Sequence, residues 1–196
     1  MGASVTELLQ LVVVAKDAAD MRAFNRAHVP DWVDLVEVVN EHRASLSSIG
    51  NYYLKVGRTP VFGIVHADCD FGPDALQAFY DEAMAGHVCG IVGLCLDLRY
   101  HWCHDLPGRV STLDSCSVFF RRDLGLTFDE ETFDSFHLHV EDLCLQAEKR
   151  NIRVTVPRAD ARHKGATANG TAWLDEYHRY RRLLCQKWAD RKFATT

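Results

Sequence analysis

Residues 61–76 read VFGIVHADCDFGPDAL, and the fold can be worked out from this stretch. Val61 to Val65 is an unbroken apolar run rich in β-branched residues, as expected of a strand buried on both faces. His66, Asp68 and Asp70 follow at alternate positions. Gly72-Pro73-Asp74 then opens a helix through Met84, which sets Leu76, Phe79, Tyr80 and Ala83 on one face. Upstream, Leu9 to Val14 and Val33 to Val39 are two more strands. Between the strands, Asp17 caps a helix reaching about His28 and closed by Pro30, and Ser47 to Val56 forms a second helix. Downstream, Val88 to Leu96 reads as a strand whose Gly90 and Gly93 mark a close approach. A polar, aromatic loop over Arg99 to Gly108 comes next, then a short strand at Ser117 to Phe120, a helix at Val140 to Lys149 and a strand at Ile152 to Val156. Residues 164–172 read as a loop, and a terminal helix runs from Trp173 to about Arg191. Strands alternating with helices predict an α/β fold with a mostly parallel sheet built from right-handed βαβ units. Ligands bind such sheets at the carboxyl ends of their strands, where Asn40 and the His66–Asp70 cluster fall.

The composition fits this reading. The 196 residues are 47% hydrophobic and 25% charged, which excludes a disordered, collagen-like or coiled-coil chain. A net charge of -5 argues against a nucleic-acid partner. Seven cysteines form an odd set without a CxxC pair, so reduced thiols and a cytoplasmic setting are expected. The apolar run Leu8 to Ala15 is too short to cross a bilayer. Ten histidines are the one oddity.

Three groups of residues have the makings of a site. His66-x-Asp68-x-Asp70 offers an imidazole and two carboxylates that can hold a divalent cation, or else a polar turn whose acids cap the next helix. Glu141 and Asp142 stand in the first turn of a helix, where acids serve either the macrodipole or a reaction as general base. His163, between Arg162 and Lys164, matters only if the chain folds back towards Asp68. Cys89, Cys95 and Cys116 read as small core residues. The terminal helix carries Arg179, Arg181, Arg182, Lys187, Arg191 and Lys192, a basic set suited to weak contact with a membrane or an acidic partner. Phosphate-loop, GxGxxG, HExxH and GxSxG motifs are absent.

In their order these pieces resemble the GT-A glycosyltransferases, particularly inverting enzymes of the family 2 type. LQLVVVAK looks like the first nucleotide-binding strand, and VFGIVHADCDFGPDAL like the segment bearing the metal-binding DxD motif. Ser111-Thr112-Leu113-Asp114 with Phe119-Phe120-Arg121-Arg122 is similar to the acceptor-side strand, and FHLHVEDLCLQAEKRNIRVTVP to the segment with the catalytic acid. The resemblance implies one GT-A domain over residues 1–172, with a nucleotide-sugar half (1–100) and an acceptor half (101–172). Residues 173–196 would form a helix packed on it. Val14, Ala15, Asn40, Ser48, Asn51, His66, Ala67 and Asp68 would contact the donor, a nucleotide-diphosphate sugar with UDP foremost. Asp68, Asp70 and His163 would hold Mn²⁺ or Mg²⁺, the working pair being His66/Asp68 or Asp68/Asp70. Asp142, with Glu141 as fallback, would deprotonate a glycan or other hydroxyl acceptor lined by Trp102, Asp114 and His137. The rival readings are a non-catalytic nucleotide- or glycan-binding module and a sugar-nucleotide pyrophosphorylase, although Ala15-Lys16-Asp17 lacks the glycine-rich loop of the latter.

Overall fold

The computed structural model describes residues 8–165 and 172–195. Strand β1 (Leu9–Ala15) is buried along its whole length, each large aliphatic side chain contributing about 1.5–3 kcal/mol of transfer free energy. It pairs in parallel with β2 (Val33–Val39) on one side and β3 (Val61–His66) on the other. Helix α1 (Ala18–Ala23) begins at Asp17, whose carboxylate accepts from the Ala19 and Asp20 amides. It stops short of the expected His28, because Arg26 folds back to donate to the Met21 and Phe24 carbonyls that a further turn would have used. Helix α2 (Leu46–Val56), capped by the Ser45 hydroxyl, leads into β3.

A short strand β4 (Cys69–Phe71) follows, then helix α3 (Ala75–Met84). Asp74 precedes the helix in the left-handed region (φ 61°) without capping it. The strand expected over Val88 to Leu96 is divided into β5 (Val88–Cys89) and β6 (Val92–Leu94). At the break, a β-carbon on Gly90 would lie 2.7 Å from the Ser117 carbonyl oxygen, so only glycine admits this backbone approach. Beyond it β6 joins β7 (Tyr100–Trp102) and β9 (Thr112–Leu113) in a separate three-stranded sheet. The stretch expected to be a loop therefore contains a strand. After β8 (Gly108–Arg109) comes β10 (Ser117–Arg121), whose Val118, Phe119 and Phe120 are fully buried. Helix α4 (His139–Lys149), β11 (Val154–Val156), β12 (Ala161–His163) and α5 (Ala172–Lys187) complete the described elements. The expected 164–172 loop falls largely outside the described residues.

The main sheet has the order β2-β1-β3-β10-β5-β11-β8. The chain passes from β1 to β2 on one side and then to β3 on the other, which places a topological switch at the carboxyl ends of β1 and β3. Strand β10 is antiparallel to both its neighbours, so its amino end lies at that same edge. Strand β12 pairs antiparallel with β4, His163 opposite Cys69. Helix α5 closes a second apolar cluster in which its Tyr180 and Leu184, with Trp188 just beyond, pack on Phe133, Leu138 and Leu145. None of the described helices is long and apolar enough to cross a membrane.

Candidate functional site

Four chain segments meet at the switch point. Strand β3 ends at His66, whose amide donates to the Cys116 carbonyl, while the Ala67 amide donates to that of Val14. These bonds fix the turn that presents Asp68. The β4–β12 pairing continues past its last rung through the Lys164 amide, which donates to the Asp68 carbonyl at 3.0 Å. It brings His163 Nε2 to 3.3 Å from Asp68 Oδ2, and the His66 and His163 ring centroids to 6.0 Å. His66, Asp68 and His163 each point a donor atom into one space, all within 4.8 Å of one another. Asp114, Cys116 and His163 form a second such group, which shares the imidazole.

Electrostatics set the charge states here. Burial opposes charge on His163, but hydrogen bonds with the Asp68 carboxylate and the Cys116 sulfur outweigh it and push its pKa up to about 11. Burial also works against the Asp68 carboxylate, yet His163 and then His66 hold its pKa below the ordinary value. For His66 burial dominates and lowers the pKa, against the pull of Asp68 and Asp114. The other Asp68 oxygen, Oδ1, is buried without a hydrogen-bond partner. A carboxylate oxygen desolvated in this way is costly unless a cation completes it, so these residues fit a divalent ion.

The structure places several sequence-derived candidates differently. Asp70 pairs with Lys164 Nζ at 2.7 Å and lies outside both donor groups. Asn40 spends its side chain on the Ala44 amide and carbonyl, at 2.8 Å each. Asn51 clamps residues 128–130 through the Phe128 backbone and Glu130, and Ser48 bonds back to the Ser45 carbonyl. These three side chains thus hold loops in place where nucleoside contacts were expected. Val14 and Ala15 are buried at the end of β1.

The acidic pair of α4 divides sharply. Asp142 is completely buried and accepts from Trp188 Nε1 at 2.8 Å, Lys187 Nζ at 2.8 Å and Gln146 Nε2 at 2.9 Å. Its carboxylate is thereby committed to anchoring the C-terminal segment. Glu141 is also buried, but it accepts a 2.6 Å hydrogen bond from the Ser115 hydroxyl, and Ser115 stands between Asp114 and Cys116. Tyr177 of α5 lies close by: burial first, then the Glu141 charge among others, raises its pKa. His137 packs under α5 against the Tyr177 and Tyr180 rings, 3.8 Å from Glu176. Trp102, partly buried on β7, stacks loosely with Tyr100 and His104.

Ser115 escaped the sequence reading, and Cys116 entered it only as a small core residue. Only the reversed direction of β10, which turns its leading residues towards the ends of β1 and β3, could have revealed them. The seven cysteines are all free thiols.

No protein-family model matches the chain, and no curated protein sequence matches it. Solved structures do match. The chain superposes on GalNAc-T7, crystallised with UDP, GalNAc and Mn²⁺, with a TM-score of 0.57 at 10% identity, over 93% of this chain and 49% of that one. It matches A197 from STIV with a TM-score of 0.51 at 11% identity, over 81% and 86% of the two chains. For TarS of S. aureus the TM-score is 0.54 at 13% identity, over 95% and 40%. The chain thus spans about half the length of GalNAc-T7 and less of TarS. Its fold is that of the GT-A glycosyltransferases.

Proposed function

We propose that the chain is a glycosyltransferase that uses a divalent cation and moves a sugar from a nucleotide-diphosphate donor to an acceptor hydroxyl with inversion. The observation that carries this reading is the meeting of His66, Asp68 and His163 at the switch point of a GT-A sheet. GalNAc-T7, with its UDP, GalNAc and Mn²⁺, supports a nucleotide-sugar donor, with UDP as the leading nucleotide, and Mn²⁺ or Mg²⁺ as the ion. Held by the three side chains, the ion would act as a Lewis acid towards the charge developing on the leaving diphosphate.

The chain's own residues have distinct tasks in this scheme. Asp68 and His163 fix each other's orientation through their ion pair, and Ala67 keeps the turn against Val14. Glu141, rather than Asp142, is the general base that takes the acceptor proton as the hydroxyl attacks the anomeric carbon in line. The Ser115 hydroxyl orients that carboxylate, and Asp114 with Trp102 borders the acceptor side. His137, sealed beneath α5, supports this wall from behind. The burial of Glu141 favours a second reading, a binding module of the same fold.

One experiment separates the two. Nucleotide release from a panel of nucleotide sugars is followed with Mn²⁺, with Mg²⁺ and with EDTA. Release that depends on the ion supports the transferase. Donor binding by calorimetry without any release would establish the module instead.

A further inference from the structure

We propose that Asp114, Cys116 and His163 form a second cation site, selective for Zn²⁺, which competes with the His66–Asp68–His163 set because both need the same imidazole. The two sets differ in donor chemistry. A carboxylate and two imidazoles serve many divalent ions, but a thiolate favours zinc strongly over manganese or magnesium. Cys116 is fully buried, its thiol 3.7 Å from the Ser117 hydroxyl and its sulfur already in hydrogen-bonding contact with His163. The donor atoms of Asp114, Cys116 and His163 lie within 4.8 Å of one another, against roughly 3.5 Å between ligands around tetrahedral zinc with bonds of about 2.0–2.3 Å. Closing that gap takes small side-chain rotations.

The backbone supports such closure. Asp114 Oδ1 accepts from the Cys116 amide at 2.8 Å, which locks the two donors into one tight turn. The Cys116 carbonyl holds the His66 amide at 2.9 Å, so the turn is tied to the strand end that supplies the other set. Binding breaks the S–H bond of Cys116. The sulfur keeps the electron pair as a zinc ligand, His163 gives up its imidazolium proton to free its nitrogen lone pair, and both protons leave to solvent. Bound zinc draws His163 away from Asp68, which leaves the first set with two of its three donors. The binding claim stands on this geometry alone. Only its consequence, inhibition of turnover by zinc, rests on the transferase reading.

The test uses the purified full chain and the metals alone. Co²⁺ should give a near-ultraviolet thiolate-to-metal band in the wild type and in His66→Ala, and none in Cys116→Ser or His163→Ala. Zn²⁺ binding should release a proton from the wild type in excess of that released by Cys116→Ser. It should also weaken by more than about 100-fold in that variant, the upper end of what losing even an outer-shell partner costs. Zn²⁺ should displace Mn²⁺, read as return of the free-Mn²⁺ electron paramagnetic signal. Should Cys116→Ser misfold by circular dichroism, Asp114→Asn and the wild-type proton release decide. Absence of the thiolate band, unchanged zinc affinity in Cys116→Ser, or simultaneous binding of both ions overturns the proposal. Zinc binding through Cys116 in a chain that never takes Mn²⁺ supports this site and counts instead against the metal set of the transferase reading.

Discussion

Removing the Asp142 carboxylate should unfold the protein more readily before it affects any chemistry. In Asp142→Ala, Trp188 Nε1 loses its acceptor, Gln146 Nε2 keeps the Thr127 carbonyl at 2.9 Å, and Lys187 keeps its ion pair with Asp129 at 2.7 Å. Breaking a buried ion pair from one side costs about 3–5 kcal/mol. Lys187 is 31% exposed along its side chain, so water softens the loss towards the lower figure. Lys187→Met leaves the fully buried Asp142 charge with two neutral donors and takes the ion-pair partner of Asp129 as well, so it too should cost about 3–5 kcal/mol. The double variant removes both charges, so the two single costs should exceed the double cost by about 1–2 kcal/mol. The assay is urea unfolding followed by Trp fluorescence and circular dichroism. With a slope of about 2 kcal/mol/M, Asp142→Ala should lower the midpoint by roughly 1.5 M. Asp142→Asn keeps an acceptor for Trp188, loses less stability and should retain transfer in its folded fraction. A loss below about 1 kcal/mol for Asp142→Ala, or additive costs in the cycle, would refute the anchoring role. A stable but inactive Asp142→Asn would restore Asp142 as the base.

Glu141→Gln should lower kcat by about 10²–10⁴-fold, the usual weight of a general base, while KM for the donor changes little. Equal turnover in steady-state assays would remove Glu141 from the reaction. Acid should destabilise the fold through its buried imidazoles. Burial pushes the pKa of His139 down to about 3 and lowers those of His66 and His137 as well. The unfolded chain therefore binds more protons than the native one below pH 6.5, and stability must fall as pH drops through that range. His139 alone accounts for about 1.5 kcal/mol between pH 6.5 and 5, to be read as a fall in the urea midpoint that His139→Phe should reduce. A midpoint that is flat over this interval would contradict the assignment.

How much of this was legible in the sequence varied with range. Unbroken apolar runs such as Leu9–Ala15 and Val61–Val65 announce buried parallel strands, because both faces of such a strand meet helices. The placement of His66 and Asp68 at a strand end followed from that pattern. Long-range geometry did not. Periodicity carries no sign of strand direction, so the reversal of β10 is hidden, and with it the arrival of Ser115 and Cys116 beside Asp114. Local sequence does not rank the α4 acids, because adjacent acids in a first turn share one local environment; the preference for Asp142 comes from the family resemblance. Long-range partners separate them: Trp188 and Lys187, some 46 residues further on, hold Asp142, and Ser115 holds Glu141. Asn40 and Asn51 show a related limit: an amide that closes a loop and an amide that awaits a ligand have the same sequence signature.

The reversed strand also governs which changes of length the protein can absorb. Its register pairs Ser117 with Val65 and Val118 with Ile64, and the side chains of a strand alternate between the two faces of the sheet. One residue inserted between Cys116 and Ser117 would shift the donor-bearing turn along the sheet edge, and one inserted within β10 would exchange the faces of the sheet that the buried Phe119 and Phe120 fill, setting each ring into packing shaped for the other. The exposed tip around Leu98, between β6 and β7, carries no such constraint. Loop grafts and tags belong at that tip, whereas the three residues from Asp114 to Cys116 behave as a fixed ruler measured from the sheet.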